Sequence, residues 1–414
     1  MAWETKLEPK NGYQVLNKIR VSVPHRPPWI LPIVILSQFA GGSLWFSGNA
    51  ILDDLVREWN VSGQFVGYAT SAVQLGFITG TLLFAWFTVS DRYSPRKVFF
   101  LSALLGATAN SLIIILPKEM IILILLRYCT GVFLAGIYPV GMKIAAGWYK
   151  GGLGRALGYL VGALVFGTAF PHVLKAAGYQ LDWQIVLLST SVISLSGGVA
   201  MLAFVPDGPY IKKGSLLNGK ALSMIFNKKD CKAAVLGYFG HCWEVYTLWA
   251  FLPLFLSTYV LRNLDSSIHI PLWAFLIIAS GAAGCAIGGI VSKKLGSARV
   301  AFFLLAVSGC CCLLSPFFFS LPPVFFLAIM IVWGVSVAGD SPQYSTVIAQ
   351  TVPGDLVGSA LTLVNCIGFF ITIVSLQLVD FLSTLIEVEI LLLILLPGPL
   401  FGLYSMRQLV AKQI

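Results

Sequence analysis

Ionisable side chains set inside long apolar runs are the residues of this sequence best placed to do chemistry. The run Gly240-His241-Cys242-Trp243-Glu244-Val245-Tyr246 holds an imidazole and a carboxyl three positions apart, so both lie on one face of a helix. A carboxylate deep in hydrocarbon is costly unless it is protonated, paired or wetted. Beside an imidazole it forms a unit able to take up and release protons. Asp340, within Ala338-Gly339-Asp340-Ser341-Pro342, is a second such acid. Arg127 lies inside the run 119–146, about 12 Å from its nearer end at 1.5 Å per residue. A buried guanidinium needs an acid, a solute anion or backbone carbonyls as acceptors. Glu244, His241 and Asp340 are therefore expected to carry protons, and Arg127 to contact solute. Tyr138, Asn49, Trp249, Gln343 and Tyr344 are candidate solute contacts, as are Gln38, Trp45 and Asn365.

The elements that must position these groups are membrane helices. The chain of 414 residues is 57% hydrophobic and 11% charged, and its mean hydropathy is +0.86. Soluble proteins carry about 25% charged residues, so most of this surface must face lipid. Apolar runs long enough to span a bilayer fall near 29–52, 66–90, 97–117, 119–146, 153–173 and 182–204. Six more fall near 233–260, 270–292, 299–319, 322–350, 356–381 and 385–406. The expected organisation is an N-terminal segment 1–28, a six-helix bundle 29–204, a central loop 205–232, a second bundle 233–406 and a tail 407–414. No cleavable leader precedes the first run, which is expected to act as an uncleaved anchor.

The net charge of +10 is a statement about topology and not about nucleic acid. Of the 27 Lys and Arg residues, Arg57, Lys118, Lys175 and Arg262 fall on one side of the spans and Arg127 lies within one; the others fall on the opposite side. The positive-inside bias places both termini and the central loop in the cytoplasm of a cell with an inner membrane. The eight cysteines lie within spans or at the edge of a basic loop, where no disulfide framework is expected, and no Cys/His spacing marks a metal site.

The two halves repeat. Ala135-Gly136-Ile137-Tyr138-Pro139 recurs as Ala338-Gly339-Asp340-Ser341-Pro342, 203 residues later, and Gly154-Arg155-Ala156-Leu157 as Gly358-Ser359-Ala360-Leu361, 204 later. Parallel repeats about an axis along the membrane normal are a known transporter architecture. The loop Asp91-Arg92-Tyr93-Ser94-Pro95-Arg96-Lys97 resembles the signature between helices 2 and 3 of the major facilitator superfamily. Arg127-Tyr128-Cys129-Thr130-Gly131 resembles that family's helix 4 pattern, and the helix 7 run around His241 and Glu244 is similar to that of bacterial members. The resemblance implies a twelve-helix all-α membrane fold in two pseudo-symmetric bundles. It implies a conformational latch at Asp91, Arg92, Arg96 and Lys97, and a cavity lined by helices 1, 4, 7 and 10. Phe87, Pro95 and, in the second copy of the loop, Lys293 depart from the family pattern.

With no Walker-type phosphate loop and no cofactor motif, the expected function is proton-coupled secondary transport of a small organic solute, an organic anion on the strength of Arg127. The alternatives are a drug-efflux antiporter and a non-transporting sensor on the same fold. No clustered nucleophile–base pair supports an enzyme. A monomer in the bilayer, with solute and protons as its partners, is expected.

Overall fold

The structure is a computed structural model and describes residues 3–5, 18–20, 27–59, 65–149, 153–177, 182–211, 218–264, 266–354 and 356–412. Among these residues, eleven helices are long and apolar enough to cross a membrane, and Ile30–Gly42 is a shorter apolar helix that completes twelve. We number the spans in chain order. Helix 1 is Ile30–Gly42 continued by Ser47–Ala50, helix 2 Phe65–Trp86, helix 3 Pro95–Ile115, helix 4 Met120–Trp148, helix 5 Leu153–Ala177 and helix 6 Trp183–Phe204. Helix 7 is Lys229–Arg262, helix 8 Ile270–Leu295, helix 9 Ser297–Phe318, helix 10 Pro323–Thr351, helix 11 Val357–Leu382 and helix 12 Val388–Ala411. The face where helix 1 begins and helix 12 ends is called the terminal face, and the opposite one the distal face.

The structure departs from the sequence reading in three places. The first run is not one helix: it stops at Gly42 and resumes at Ser47. The central segment is not all loop, because Lys220–Asn227 is a helix that buries Ala221 and Ile225. The first distal connection is also helical, over Leu52–Trp59, with Leu52 and Leu55 buried. Most of the N-terminal segment lies outside the described residues. Within it, Trp3–Thr5 and Lys18–Arg20 form one antiparallel pair with Trp3 opposite Arg20.

Membrane helices gain little from the hydrophobic effect among themselves, so close approach through small residues must supply the packing. The repeat is kept to the residue in these contacts. A Cβ on Gly131 of helix 4 would lie 2.1 Å from the Val73 carbonyl oxygen of helix 2; one on Gly334 of helix 10 would lie 2.1 Å from that of Ile277 on helix 8. Gly80 meets the Val132 carbonyl and Gly284 the Val335 carbonyl in the same way. Helices 4 and 10 both break at the repeated motif. Helix 4 is interrupted between Leu134 and Tyr138, and helix 10 at Asp340, between Gly339 and Ser341. Pro139 and Pro342 lack the amide that a continuous ladder needs.

The two bundles meet along two seams, helix 5 against helix 8 and helix 2 against helix 11. The first is built of small residues, with Gly162 beside Ala282 and Gly281 beside Val165, and Phe166 edge-on to Phe275 at 5.5 Å. Substituting Gly131→Ala or Gly334→Ala is expected to lower thermal stability in detergent by about 1–3 kcal/mol each, as over-packing does. Gly289→Ala, which meets nothing within 4 Å, should leave the unfolding midpoint where it is.

Candidate functional site

The break in helix 1 is held by Arg127. Between Gly42 and Ser47 the chain turns through Ser43, Leu44, Trp45 and Phe46, and the Leu44 and Trp45 carbonyls are free to accept outside bonds. Arg127 reaches in from helix 4 and donates through Nη1 to the Leu44 carbonyl (3.2 Å), Ser47 Oγ (3.0 Å) and Asn110 Oδ1 (3.3 Å), and through Nη2 to the Trp45 carbonyl (2.5 Å). Asn110 of helix 3 extends the network, accepting from Ser47 Oγ (2.7 Å) and donating to the Leu187 carbonyl (3.1 Å) and Ser191 Oγ (3.0 Å) on helix 6. A Cβ at Gly48 would sit 2.9 Å from Arg127 Nε, so this position must be glycine for the guanidinium to enter. Arg127 is 1% exposed. The expected solute-facing arginine is, in this conformation, a donor to backbone carbonyls inside the first bundle.

In the second bundle the two members of the helix 7 pair diverge. His241 does not pair with Glu244: its Nδ1 lies 2.8 Å from Oδ1 of Asp340, across the helix 10 break. Tyr238 stacks on the imidazole at 5.7 Å and Tyr344 lies 6.0 Å away. Glu244 turns instead into its own bundle. Its Oε1 accepts from Ser308 Oγ, Trp333 Nε1 (2.6 Å) and Cys312 Sγ (3.4 Å), while Oε2 has no partner among the described residues. Glu244 and Asp340 are both wholly buried. Three donors on one oxygen and none on the other leave a carboxyl group that can hold a proton without losing its anchors.

Between the bundles the centre is aromatic. Trp45 and Phe46 of helix 1 and Phe77 of helix 2 meet Tyr246 and Trp249 of helix 7 and Phe369 of helix 11. Trp45 stacks on Tyr246 (5.7 Å) and Phe369 (5.5 Å), Phe77 packs on Phe369 (4.7 Å), and Trp249 is edge-on to Tyr246 (5.3 Å) and Phe46 (6.3 Å). The indole nitrogens of Trp45 and Trp249 are buried without partners among the described residues. Toward the distal face the seam is tied by polar bonds, Gln377 Nε2 to Ser71 Oγ (2.9 Å) and the Gly67 amide to Asp380 Oδ1 (3.3 Å).

Of the other expected contacts, Tyr138 is half-buried, 6.5 Å from Phe77. Asn49 donates to Thr70 Oγ1 at 2.7 Å. Gln343 and Tyr344 are buried beside Gly288 and His241 respectively, and Gln38 is buried against Gly141 inside the first bundle. Asn110, Ser308, Trp333, Phe77, Phe369 and Asp380 were not among the expected site residues. Asn110 and Asp380 carried a signal, a polar side chain within an apolar run.

The loop after helix 2 is tied to helices 4 and 6 of its own bundle. Lys143, which would otherwise extend to the lipid headgroups, binds the Asp91 carboxylate and the Ser90 carbonyl (2.6 Å). Arg92 donates to Thr88 Oγ1 (3.2 Å) and Arg96 to the Leu202 carbonyl on helix 6 (3.3 Å), while Lys97 is exposed. An apolar groove of about 380 Å³ is lined by Ile35, Leu36, Phe39, Phe166 and Ala282.

Replacing Arg127 by leucine strands the Leu44 and Trp45 carbonyls together with Ser47 and Asn110. Arg127→Leu is expected to destabilise the protein in detergent by about 2 kcal/mol or more, and Arg127→Lys by less. An undiminished unfolding temperature for Arg127→Leu would show that the guanidinium does not support helix 1.

Two solved structures share this architecture. The chain is similar to the proton:xylose symporter XylE bound to 6-bromo-6-deoxy-D-glucose, with a TM-score of 0.67 at 12% identity, over 92% of this chain and 96% of that one. It is similar to the human organic anion transporter MFSD10 (TETRAN), with a TM-score of 0.68 at 14% identity, over 92% of this chain and all of that one. The sequence itself matches the Major Facilitator Superfamily over residues 33–376. Twelve spans in two registered bundles, the repeated helix breaks and this match together place the chain in the major facilitator superfamily, as a multi-pass membrane transporter.

Proposed function

We propose that the protein is a proton-coupled secondary transporter that moves a small organic solute across the inner membrane by alternating access, with both termini in the cytoplasm. The observation that carries the reading is the trio of buried ionisable groups on helices 7 and 10. Glu244 sits near the middle of a 34-residue helix, held on one oxygen only, and the His241–Asp340 contact lies one helical turn away. Groups of this kind within a membrane are expensive to keep and mark ion or solute pathways. Protonation of Glu244 leaves its Ser308 and Trp333 donors in place, while protonation of Asp340 removes the charge that faces His241. Glu244 can therefore store a proton with its ties intact, whereas the protonation of Asp340 weakens the tie of helix 7 to helix 10, and helix 7 also carries Tyr246 and Trp249 into the seam between the bundles. Coupling is thus a matter of moving those rings, and the solute path is the aromatic seam that they close.

The domain limits follow the same division, with a bundle on either side of the central segment 205–232. The charge of the solute turns on Arg127. An organic anion can reach its donors only if helix 1 yields the Leu44 and Trp45 carbonyls, whereas a neutral or hydrophobic solute needs no such change. Efflux of hydrophobic compounds is the second reading, favoured by the rings at the seam.

The test is uptake into proteoliposomes under an imposed pH gradient, with organic acids, neutral solutes and hydrophobic cations offered in turn and a trapped fluorescent dye recording protons. A solute that is accumulated should move protons with it or against it. Glu244→Gln and Asp340→Asn should each lose gradient-driven accumulation by about tenfold or more while still equilibrating solute. Accumulation that is independent of the gradient, or undiminished in Glu244→Gln, would sink the proposal.

A further inference from the structure

The distal part of the helix 2–helix 11 seam holds an acid that the transport reading above does not use. Asp380 is 4% exposed and sits two residues from the end of helix 11. Its Oδ1 accepts the Gly67 amide hydrogen at 3.3 Å, from the first turn of helix 2, where amides have no acceptor in their own helix. The two helices touch here: a Cβ on Gly67 would lie 2.7 Å from the Asp380 carboxyl carbon. One turn deeper, Gln377 donates to Ser71, and two turns further in, Phe369 packs on Phe77. The helices belong to different bundles, so these contacts part together if the distal side opens.

No cation among the described residues pairs with Asp380. The ions of the distal face are engaged with one another: Asp54 with Arg57 and Lys175, Glu58 with Lys118, and Arg262 with Glu387 and Glu389. Helix 2 offers the carboxyl an amide and a serine hydroxyl, while Tyr68 is turned outward at 45% exposure. Helix 11 adds Gln377 and the Ser383 hydroxyl, which donates to the Asp380 backbone carbonyl. Helix 7, packed on helix 11 through Thr247 and the Cys242 and Trp243 carbonyls, commits His241 to Asp340 and Glu244 to Ser308 and Trp333. Helix 10 and the helix Lys220–Asn227 also pack on helix 11; Tyr344 of the first lies beside His241 and Lys220 of the second is exposed. With no cation at hand, a carboxylate taken out of water loses more than one amide and a helix end return to it. A neutral carboxyl keeps the Gly67 bond, because its carbonyl oxygen still accepts, and sheds that cost.

From this geometry we propose that Asp380 is a proton-binding site of the distal gate, filled while helices 2 and 11 touch and emptied when they part. Opening the distal side wets the carboxyl, which ionises to the distal solution. The anion then resists return to the dry seam until a proton from the same compartment neutralises it. Because the proton leaves by the side from which it came, Asp380 sets the stance of the gate and carries no charge across. That separates it from Glu244, His241 and Asp340, and it rests on the transport reading only in needing the bundles to part. The repeat places Ala176 of helix 5 at the equivalent position, 204 residues earlier, so the site belongs to one seam.

The shut seam therefore gains as pH falls and loses as it rises. Spin labels carried on p-acetylphenylalanine at Ile121, in the first bundle, and Leu264, in the second, both exposed near the distal face, report the separation in lipid nanodiscs without any solute. In the unsubstituted protein the longer-distance population should rise about tenfold between about pH 5 and about pH 8, as a tenfold difference in proton affinity between the buried and the wetted carboxyl gives. Asp380→Asn, a permanent stand-in for the neutral acid, should lose that gain and at about pH 8 show about tenfold less of the longer-distance population than the unsubstituted protein. Ser71→Ala, which only removes a tie, should raise that population at both pH values and keep the response. An acid that merely tied the helices together would make Asp380→Asn open the gate as Ser71→Ala does. At about pH 8, a longer-distance population in Asp380→Asn equal to or above that of the unsubstituted protein would overturn the site, as would distances in the unsubstituted protein that fail to lengthen as pH rises. Proton-coupled uptake through Glu244 is read in a separate assay, so either reading can fail while the other stands.

Discussion

The bond on which the rest of the structure depends is the one between Arg127 and the broken backbone of helix 1. A bilayer offers no water to unpaired carbonyls, so a helix can open in its middle only where another part of the chain brings donors. Arg127 brings them, and Asn110 and Ser47 fix the guanidinium in turn. The turn so stabilised carries Trp45 and Phe46, and their rings are the contribution of helix 1 to the seam. The aromatic closure therefore inherits its position from a cation that never touches it through its charge.

The two halves share a scaffold and divide the chemistry. Gly131 and Gly334, Gly80 and Gly284, and Trp45 and Trp249 stand at matching positions 203 or 204 residues apart. The ionisable groups do not match: Met330 stands where the first half has Arg127, Ala40 where the second has Glu244, and Ile137 where it has Asp340. Packing constraints act on every copy of a repeat because each bundle must close its own helices. Titratable groups are tolerated only where a partner set has been built around them, and each half has built a different one. The first half holds a cation among carbonyls; the second holds acids among an imidazole, an indole and hydroxyls.

Much of this was legible in the sequence. The spans follow from hydropathy, and the helix 10 break from the proline after Asp340. Burial of Glu244, His241, Asp340 and Arg127 follows from their place inside apolar runs. Their partners were not legible. A spacing of three puts His241 and Glu244 on one face, but a face is wide enough for one side chain to meet helix 10 and the other helix 9. Helix 1 read as continuous because Ser43-Leu44-Trp45-Phe46 has no proline and no charge; the break depends on Arg127, more than eighty residues away in sequence. Asp380 went unremarked because an acid near a helix end looks like one that reaches the headgroups. Only the neighbouring bundle shows that it is covered.

The closed seam also makes the molecule a source of its own optical signal. Two of its eleven tryptophans, Trp45 and Trp249, lie dry between the bundles, each against the ring of Tyr246. Parting the bundles would wet both indoles and unstack them at once. The colour and yield of the protein's ultraviolet emission then register whether the bundles have parted, with no dye attached.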